Sequence, residues 1–207
     1  MFTLQDGELA VRTARTVIEK YVSKEKVPKF EVPEKFKEKS GVFCTLNTYP
    51  ERELRGCIGY PEPIMPLIDA LIDAAKSASS HDPRFSPVSK KELDSIVVEV
   101  SLLTKPELIK VKSPKDYLKD DNIVIGRDGL IIEYGMYRGL LLPQVPVEWE
   151  WNVEDFLAHT AMKAGLHPDA WADKNARLYR FTAQIFDETK PRGEVVERKL
   201  TEICKNK

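Results

Sequence analysis

The 207-residue sequence has few cysteines and histidines, and neither residue type shows the spacing of a redox or metal site. Cys44, Cys57 and Cys204 form no CxxC pair, which argues against a zinc ribbon and against a thioredoxin-type motif. An odd number of cysteines also argues against a secreted disulfide scaffold. The histidines are dispersed along the chain, so we predict no metal site, and no motif implies a cofactor.

Long apolar runs and an excess of one charge sign are also missing. The apolar stretch 95–103 (SIVVEVSLL) is far shorter than the roughly 20 residues of a membrane-spanning helix. Near the N-terminus, Asp6 and Glu8 stand where a signal peptide would need basic and then apolar residues. The net charge of -1 gives no overall field to attract nucleic acid or an anionic membrane. We therefore expect a cytoplasmic protein with reduced cysteines and without a membrane or nucleic-acid partner.

The composition that is present is that of a folded globular protein. Hydrophobic residues make up 42% of the chain, which is ordinary for a protein with a packed core. Charged residues reach 31%, above the usual quarter, and Lys and Glu dominate among them. This enrichment is typical of thermophilic proteins.

Helical and strand periodicities interleave along the chain, and several strands come as hairpins. This pattern predicts an α+β fold rather than a doubly wound parallel sheet. Asn152, with Asp155 three residues later, predicts a capped helix that begins at Val153. The predicted helices cover 3–24, a segment that follows Pro66, and the segment from Val153; the predicted strands cover 41–49, 54–60, 95–103, 122–126, 130–134, 137–142 and 178–186. We expect 122–126 and 130–134 to pair as a hairpin around a turn at 127–129.

Six short blocks carry a family resemblance. They are LRGCIG at 54–59, DPRF at 82–85, EVSLLT at 99–104, GLII at 129–132, LLPQV at 141–145 and KAGL at 163–166. Through these blocks the chain resembles the AMMECR domain family from about residue 3 to 188, and we expect an archaeal member. The resemblance implies an AMMECR-type domain over 1–188 and leaves 189–207 as a charged tail.

The resemblance also implies a fold and a pathway, but no established reaction. The implied fold is an α+β domain of two lobes, with antiparallel or mixed sheets flanked by helices. The hexapeptide at 54–59 is implied to face a groove between the lobes. Some prokaryotic relatives are fused to, or encoded with, a Memo-family protein and a radical-SAM enzyme, which makes a Memo-family protein a candidate partner.

The segment Arg55-Gly56-Cys57 is the strongest local signal for a site. Gly56 and Gly59 permit a β-bulge or a close approach of the backbone to a ligand, and Arg55 offers a planar fork to a carboxylate or phosphate. Cys57 would be a nucleophile if a neighbouring cation lowered its pKa, whereas a cysteine in a strand is more often a small buried apolar residue. His81 would be the base of a Cys–His pair, although the family pattern does not require histidine there and a plain loop residue is the alternative.

Asp82, Arg84, Phe85 and Glu99 each have a structural and a functional interpretation. Asp82 could cap a turn, or pair with Arg55 or Arg84 and hold its loop against the hairpin. Alternatively, both arginines converge on an anion and Asp82 orients one of them. Phe85 either anchors the loop or forms a wall of the groove. Glu99 either faces solvent on a half-buried strand or supplies a carboxylate to the groove.

Two further pairs are assigned to structure. Asp69 and Asp73 are one helical turn apart, which predicts a solvated helix face rather than a metal site. Trp149 and Trp151 flank Glu150, and the acidic neighbours argue against a stacking platform for nucleic acid. We predict that these tryptophans pack in the core, with contact to a partner as the alternative.

Three functions compete at this point. The first is a binding or regulatory module for a partner protein or a small anionic ligand, favoured because no complete catalytic constellation is present. The second is an enzyme with Cys57 as nucleophile and His81 as base, acting on a nucleotide, a modified RNA or an acyl or thiol compound. The third is an RNA-binding protein, which the balanced charge disfavours. Whether the protein is an enzyme stays open.

Overall fold

The computed structural model describes residues 2–119 and 121–198, and these residues divide into two units. Unit 1 comprises 2–103 and 184–198, and unit 2 comprises 104–119 and 121–183. The helices are α1 (Leu4–Val22), α2 (Leu67–Ser80), α3 (Gln144–Glu148) and α4 (Val153–Lys163). The strands are β1 (Val42–Thr48), β2 (Leu54–Tyr60), β3 (Ile96–Leu103), β4 (Glu107–Leu108), β5 (Asp128–Tyr134), β6 (Tyr137–Leu141), β7 (Arg177–Glu188) and β8 (Val195–Arg198).

Unit 1 is an antiparallel sheet with α1 and α2 packed on one face. Its strand order is β2-β1-β3, followed by the C-terminal part of β7, which also pairs with β8. Side chains alternate across a strand, so Val42, Cys44 and Leu46 of β1 point together into the helix-covered core. Thr3 caps α1 in a capping box with Asp6, and the predicted helix is confirmed.

Unit 2 has its own core around the β5–β6 hairpin and α4. The N-terminal part of β7 is flanked by β4 and β5, and β6 extends the sheet from β5. Leu130 and Ile132 of β5 pack with Phe156 and Leu157 of α4 and with Leu178 of β7. Helices and antiparallel strands in these proportions make the protein α+β, as predicted. None of the described helices is both long and apolar enough to cross a membrane.

The predicted cap of α4 is confirmed, but one predicted hairpin is wrong. The Asn152 side chain accepts the Asp155 N–H at 2.9 Å, and Asp155 answers the Asn152 N–H. Residues 122–126 form turns rather than a strand, because the buried Asp128 carboxylate accepts the Val124 N–H at 2.9 Å and also pairs with Arg127. The hairpin partner of β5 is β6.

The segment 189–207, predicted as a charged tail, contains β8. Val195–Arg198 pairs antiparallel with the end of β7. Residues 199–207, which include Cys204, lie outside the described residues.

Candidate functional site

Cys57 lies on the edge strand of unit 1 and faces away from the helices. In the antiparallel register it stands opposite Thr45 of β1, which stands opposite Glu99 of β3. The neighbouring positions Cys44 and Ile58 belong to the core under α1 and α2. Because side chains alternate, Cys57, Thr45 and Glu99 form a polar row on the other face of the sheet.

The Cys57 thiol does not have the environment of an activated nucleophile. It is partly buried, and this burial raises the pKa of the thiol above its ordinary value. A hydrogen bond from Thr45 Oγ1 to the sulfur at 3.2 Å and the charge of Arg84 act in the opposite direction. A raised pKa keeps the thiol protonated near neutral pH, and the protonated form is the unreactive one.

His81 is placed at the end of α2 rather than beside the thiol. It is exposed, its N–H donates to the Ser77 carbonyl, and its ring lies 6.2 Å from the Tyr21 ring. No hydrogen bond among the described residues joins His81 to Cys57. Cys57 and His81 therefore do not form the hydrogen-bonded pair that nucleophilic catalysis needs.

Asp82 ties the loop after α2 to the edge of the sheet. Its buried carboxylate accepts the Cys57 N–H at 2.8 Å and pairs with Arg84 through both Nε and Nη2, at 3.0 and 2.7 Å. Arg84 Nη2 also donates to the Cys57 carbonyl at 3.3 Å. The hydrogen bonds from Arg84 hold the pKa of Asp82 well below its usual range. The predicted pairing of Asp82 with Arg84 is confirmed, and this pair satisfies the N–H and carbonyl that Cys57 leaves open on the edge strand.

The glycines of the hexapeptide serve close packing inside unit 1. The pairing of β1 with β2 skips Arg55, so the predicted β-bulge is present beside Gly56. A Cβ on Gly56 would stand 2.2 Å from the Ala78 carbonyl oxygen of α2. A Cβ on Gly59 would stand 2.5 Å from the ring of Phe43. At Gly56 the backbone therefore approaches the backbone of a helix. The sequence analysis had suggested a close approach to a ligand instead.

Arg55 and Arg84 both lie against the ring of Phe85. The guanidinium carbons are 5.9 and 5.4 Å from the ring centroid, within the range of a cation–π contact. Arg55 Nε donates to Glu92 Oε1 at 2.8 Å, and the Arg84 side chain is 54% exposed. Within the described residues, Arg55 Nη1 and Nη2 and Arg84 Nη1 have no hydrogen-bond acceptor. We call Arg55, Arg84 and Phe85 the Arg–Phe surface.

Glu99 is buried, which excludes one of its two interpretations, that it faces solvent. It is only 7% exposed and accepts a hydrogen bond from Arg198 of β8 at 2.7 Å. Burial raises the pKa of Glu99, the charge of Asp187 adds to this effect, and Arg198 opposes it. Asp187 pairs with Arg52 at 2.6 Å and has one buried oxygen, Oδ1, without a hydrogen-bond partner. Two buried acids, each paired with an arginine whose side chain is more than a third exposed, therefore continue the polar row that begins at Cys57.

The structure also settles the remaining pairs of the sequence analysis. Asp69 and Asp73 are exposed on α2, and Asp73 accepts a hydrogen bond from Tyr60, so the predicted solvated face is confirmed. Trp151 packs against the core of unit 2, whereas Trp149 is 68% exposed. The prediction of a core position is wrong for Trp149.

Sequence reasoning missed one basic cavity in unit 2. It has a volume of about 370 Å³, and its apolar lining includes Leu108 and Val111. Its charged lining consists of four cations and one acid: Lys110, Lys112, Lys174, Arg177 and Asp173. The alternation of Lys110 and Lys112 was a sequence signal for it, but only the fold brings Lys174 and Arg177 beside them.

Comparison with known proteins identifies the family. The family model described as AMMECR1 matches residues 11–186. The chain is 64% identical over 200 residues to protein MJ0810 of Methanocaldococcus jannaschii, with 97% of this chain and 98% of that protein covered. It is 51% identical over 207 residues to protein PH0010 of Pyrococcus horikoshii, with 97% and 99% covered.

A crystal structure of the uncharacterized protein PH0010 is also similar to this fold. The TM-score is 0.83 at 52% identity, over 93% of this chain and 96% of that one. These relatives come from archaea, thermophilic species among them. On the strength of the family match and these identities, the chain belongs to the AMMECR1 family.

Proposed function

We propose that the protein is a binding module and that the Arg–Phe surface recognises an anionic group on a partner protein or a small ligand. The observation that carries this proposal is the pair of guanidinium groups against one aromatic ring. Asp82 and Glu92 fix Arg84 and Arg55 by one side of each guanidinium. The unused N–H groups of both arginines then form a preorganised set of donors for a carboxylate or phosphate.

The charge of this surface fits short-range recognition. Two arginines are balanced by two carboxylates, so the cluster has no net charge to attract every anion at a distance. Recognition then depends on the geometry of the donors and on stacking against Phe85, which favours a carboxylate or phosphate attached to an aromatic group. The nearby Cys57 also supports binding more than turnover, because the raised pKa of its thiol disfavours the nucleophilic thiolate.

The proposal is tested by calorimetric titration with inorganic phosphate and phenyl phosphate as probes. We expect phenyl phosphate to bind more tightly, because its ring adds a stacking contact. Arg55→Gln, which keeps a polar side chain but removes the charge and the guanidinium fork, should abolish this binding. Arg192→Gln is the control, because Arg192 is likewise paired with carboxylates of unit 1, Glu19 and Asp94, but does not lie against Phe85; its side chain is 48% exposed, whereas that of Arg55 is 14% exposed.

A Memo-family protein is the macromolecular probe in the same experiment. If it binds, Arg55→Gln should weaken the complex and Arg192→Gln should not. Equal binding of every probe by wild type and Arg55→Gln would refute the proposal that the Arg–Phe surface is the binding site. No binding of phosphate, phenyl phosphate or the Memo-family protein would refute the anionic-ligand proposal as a whole.

A further inference from the structure

Trp149 is held outward by the way α3 ends. Trp149 is the C-cap residue, and the chain reverses at Glu150, which has a φ of +56°. The Trp151 N–H then donates to the Pro146 carbonyl at 2.9 Å, as in a Schellman motif. Glycine is the residue that normally occupies the left-handed position of this motif. Here Glu150 occupies this position, although a left-handed φ is unfavourable for a residue with a side chain. Its carboxylate follows the exposed indole directly in the sequence.

Trp149 is the outer member of a series of aromatic rings. Its ring lies 6.2 Å from that of Trp151, with an interplanar angle of 20°. The Trp151 ring lies 3.8 Å from the His159 ring and is nearly parallel to it, at 3°. Met162, which is exposed, follows His159 at the i+3 position of α4. These contacts fix the tryptophans, so Trp149 presents an indole face to solvent on a rigid support.

The surroundings of this aromatic series are acidic. Residues 139–162 contain no lysine or arginine, although these residue types number 32 in the whole chain. In the same segment four exposed carboxylates have no ion-pair partner among the described residues: Glu148, Glu150, Glu154 and Asp155. We call Trp149, Trp151, His159, Met162 and these four carboxylates the acidic aromatic surface.

We propose that the acidic aromatic surface binds an arginine-bearing segment of a partner protein, with a guanidinium stacked on Trp149. A cation is attracted to the face of an aromatic ring, tryptophan being the best such ring. The four unpaired carboxylates add attraction for positive charge and repel phosphate and anionic lipid. Arginine suits this surface better than lysine, because its planar guanidinium stacks on the indole while its N–H groups reach a carboxylate such as Glu150. All of these residues belong to unit 2, so the proposal is independent of the Arg–Phe surface.

The test uses the full chain and fluorescein-labelled hexa-arginine, with hexa-lysine and hexa-glutamate as comparison peptides, read by fluorescence anisotropy. We expect the order hexa-arginine, then hexa-lysine, with no binding of hexa-glutamate. Trp149→Ala should weaken hexa-arginine binding by roughly 3- to 30-fold, the equivalent of one cation–π contact. Tyr137→Ala is the matched control, because Tyr137 is an exposed aromatic residue of unit 2 that lies outside the acidic segment 139–162, and it should leave binding unchanged.

Glu150→Gly separates binding from folding. It removes a carboxylate and places glycine at a left-handed position, so peptide binding should weaken while the melting temperature stays the same or rises. Loss of binding together with a lower melting temperature would contradict our account of this residue. Equal binding of hexa-arginine and hexa-lysine, no effect of Trp149→Ala, or binding of hexa-glutamate would each overturn the proposal.

Discussion

The contact of Asp82 with the edge strand makes the candidate site testable through stability. Asp82→Asn keeps the shape of the side chain but replaces one acceptor oxygen by a donor NH2 group. In the folded protein the carboxylate faces only donors: the Cys57 N–H, the Arg84 N–H and the Arg84 guanidinium. The amide of the variant must therefore turn a donor toward a donor on one side.

The expected loss follows from the number and exposure of these contacts. Asp82 is only 4% exposed, so a donor left without an acceptor there is not fully rehydrated. A hydrogen bond to a charged group contributes about 1.5–3 kcal/mol to stability. Arg84 is more than half exposed, so solvent screens its ion pair and we do not add a second contribution of that size. We expect Asp82→Asn to lower the free energy of unfolding by about 1.5–3 kcal/mol, or roughly 3–12 °C in melting temperature.

The pH dependence of the stability difference distinguishes the loss of a charge from a packing defect. The pKa of Asp82 is lowered in the folded state, so the stability due to its charge is present above the unfolded pKa of about 3.9. That stability is lost as the pH falls toward the folded pKa. Differential scanning calorimetry at pH 7 and at about pH 3 should show the gap between wild type and Asp82→Asn shrinking at the lower pH. Asp69→Asn, on an exposed carboxylate of α2, is the control that should change little. A gap that is absent at pH 7, or equal at both pH values, would refute the reasoning.

Three further predictions concern the same unit. Gly56→Ala should destabilise the protein by about 1–3 kcal/mol in a denaturant titration, because its Cβ would meet the Ala78 carbonyl oxygen at 2.2 Å; an unchanged midpoint would contradict this packing. Cys57 in the folded protein should react with iodoacetamide only at alkaline pH, with a midpoint above the free-thiol value of about 8.5, because burial raises its pKa. A lower midpoint, measured by peptide mass spectrometry, would favour the enzyme alternative. For Glu99 the folded pKa is raised, so the stability linked to its protonated form is complete below about pH 4.3 and is lost as the pH rises. The melting temperature of wild type relative to Glu99→Gln should therefore fall between about pH 4 and pH 8, and a constant difference would count against a buried, perturbed Glu99.

The residues of the candidate site were picked out from the sequence, but most of their contacts were not. The hexapeptide and the DPRF block marked Arg55, Cys57 and Asp82, and the fold brings all three to one edge of unit 1. The sequence could not show that Gly56 makes room for α2, because Ala78 is distant along the chain and meets Gly56 only through packing. Nor could it show how far the thiol of Cys57 is buried, since burial depends on every element that covers the residue.

Local chemistry explains what the sequence determined by itself. Hydrophobic periodicity and capping residues act within a few positions of one another, so α1, α4 and the β1–β2 hairpin were predicted close to their observed bounds. The failed hairpin at 122–134 shows the limit of such rules, because a buried carboxylate, Asp128, organises that segment into turns. Tertiary structure alone decided which distant residues meet. It paired Glu99 with Arg198 and left Trp149 exposed, since burial and ion pairing are properties of the assembled surfaces rather than of neighbouring residues in the chain.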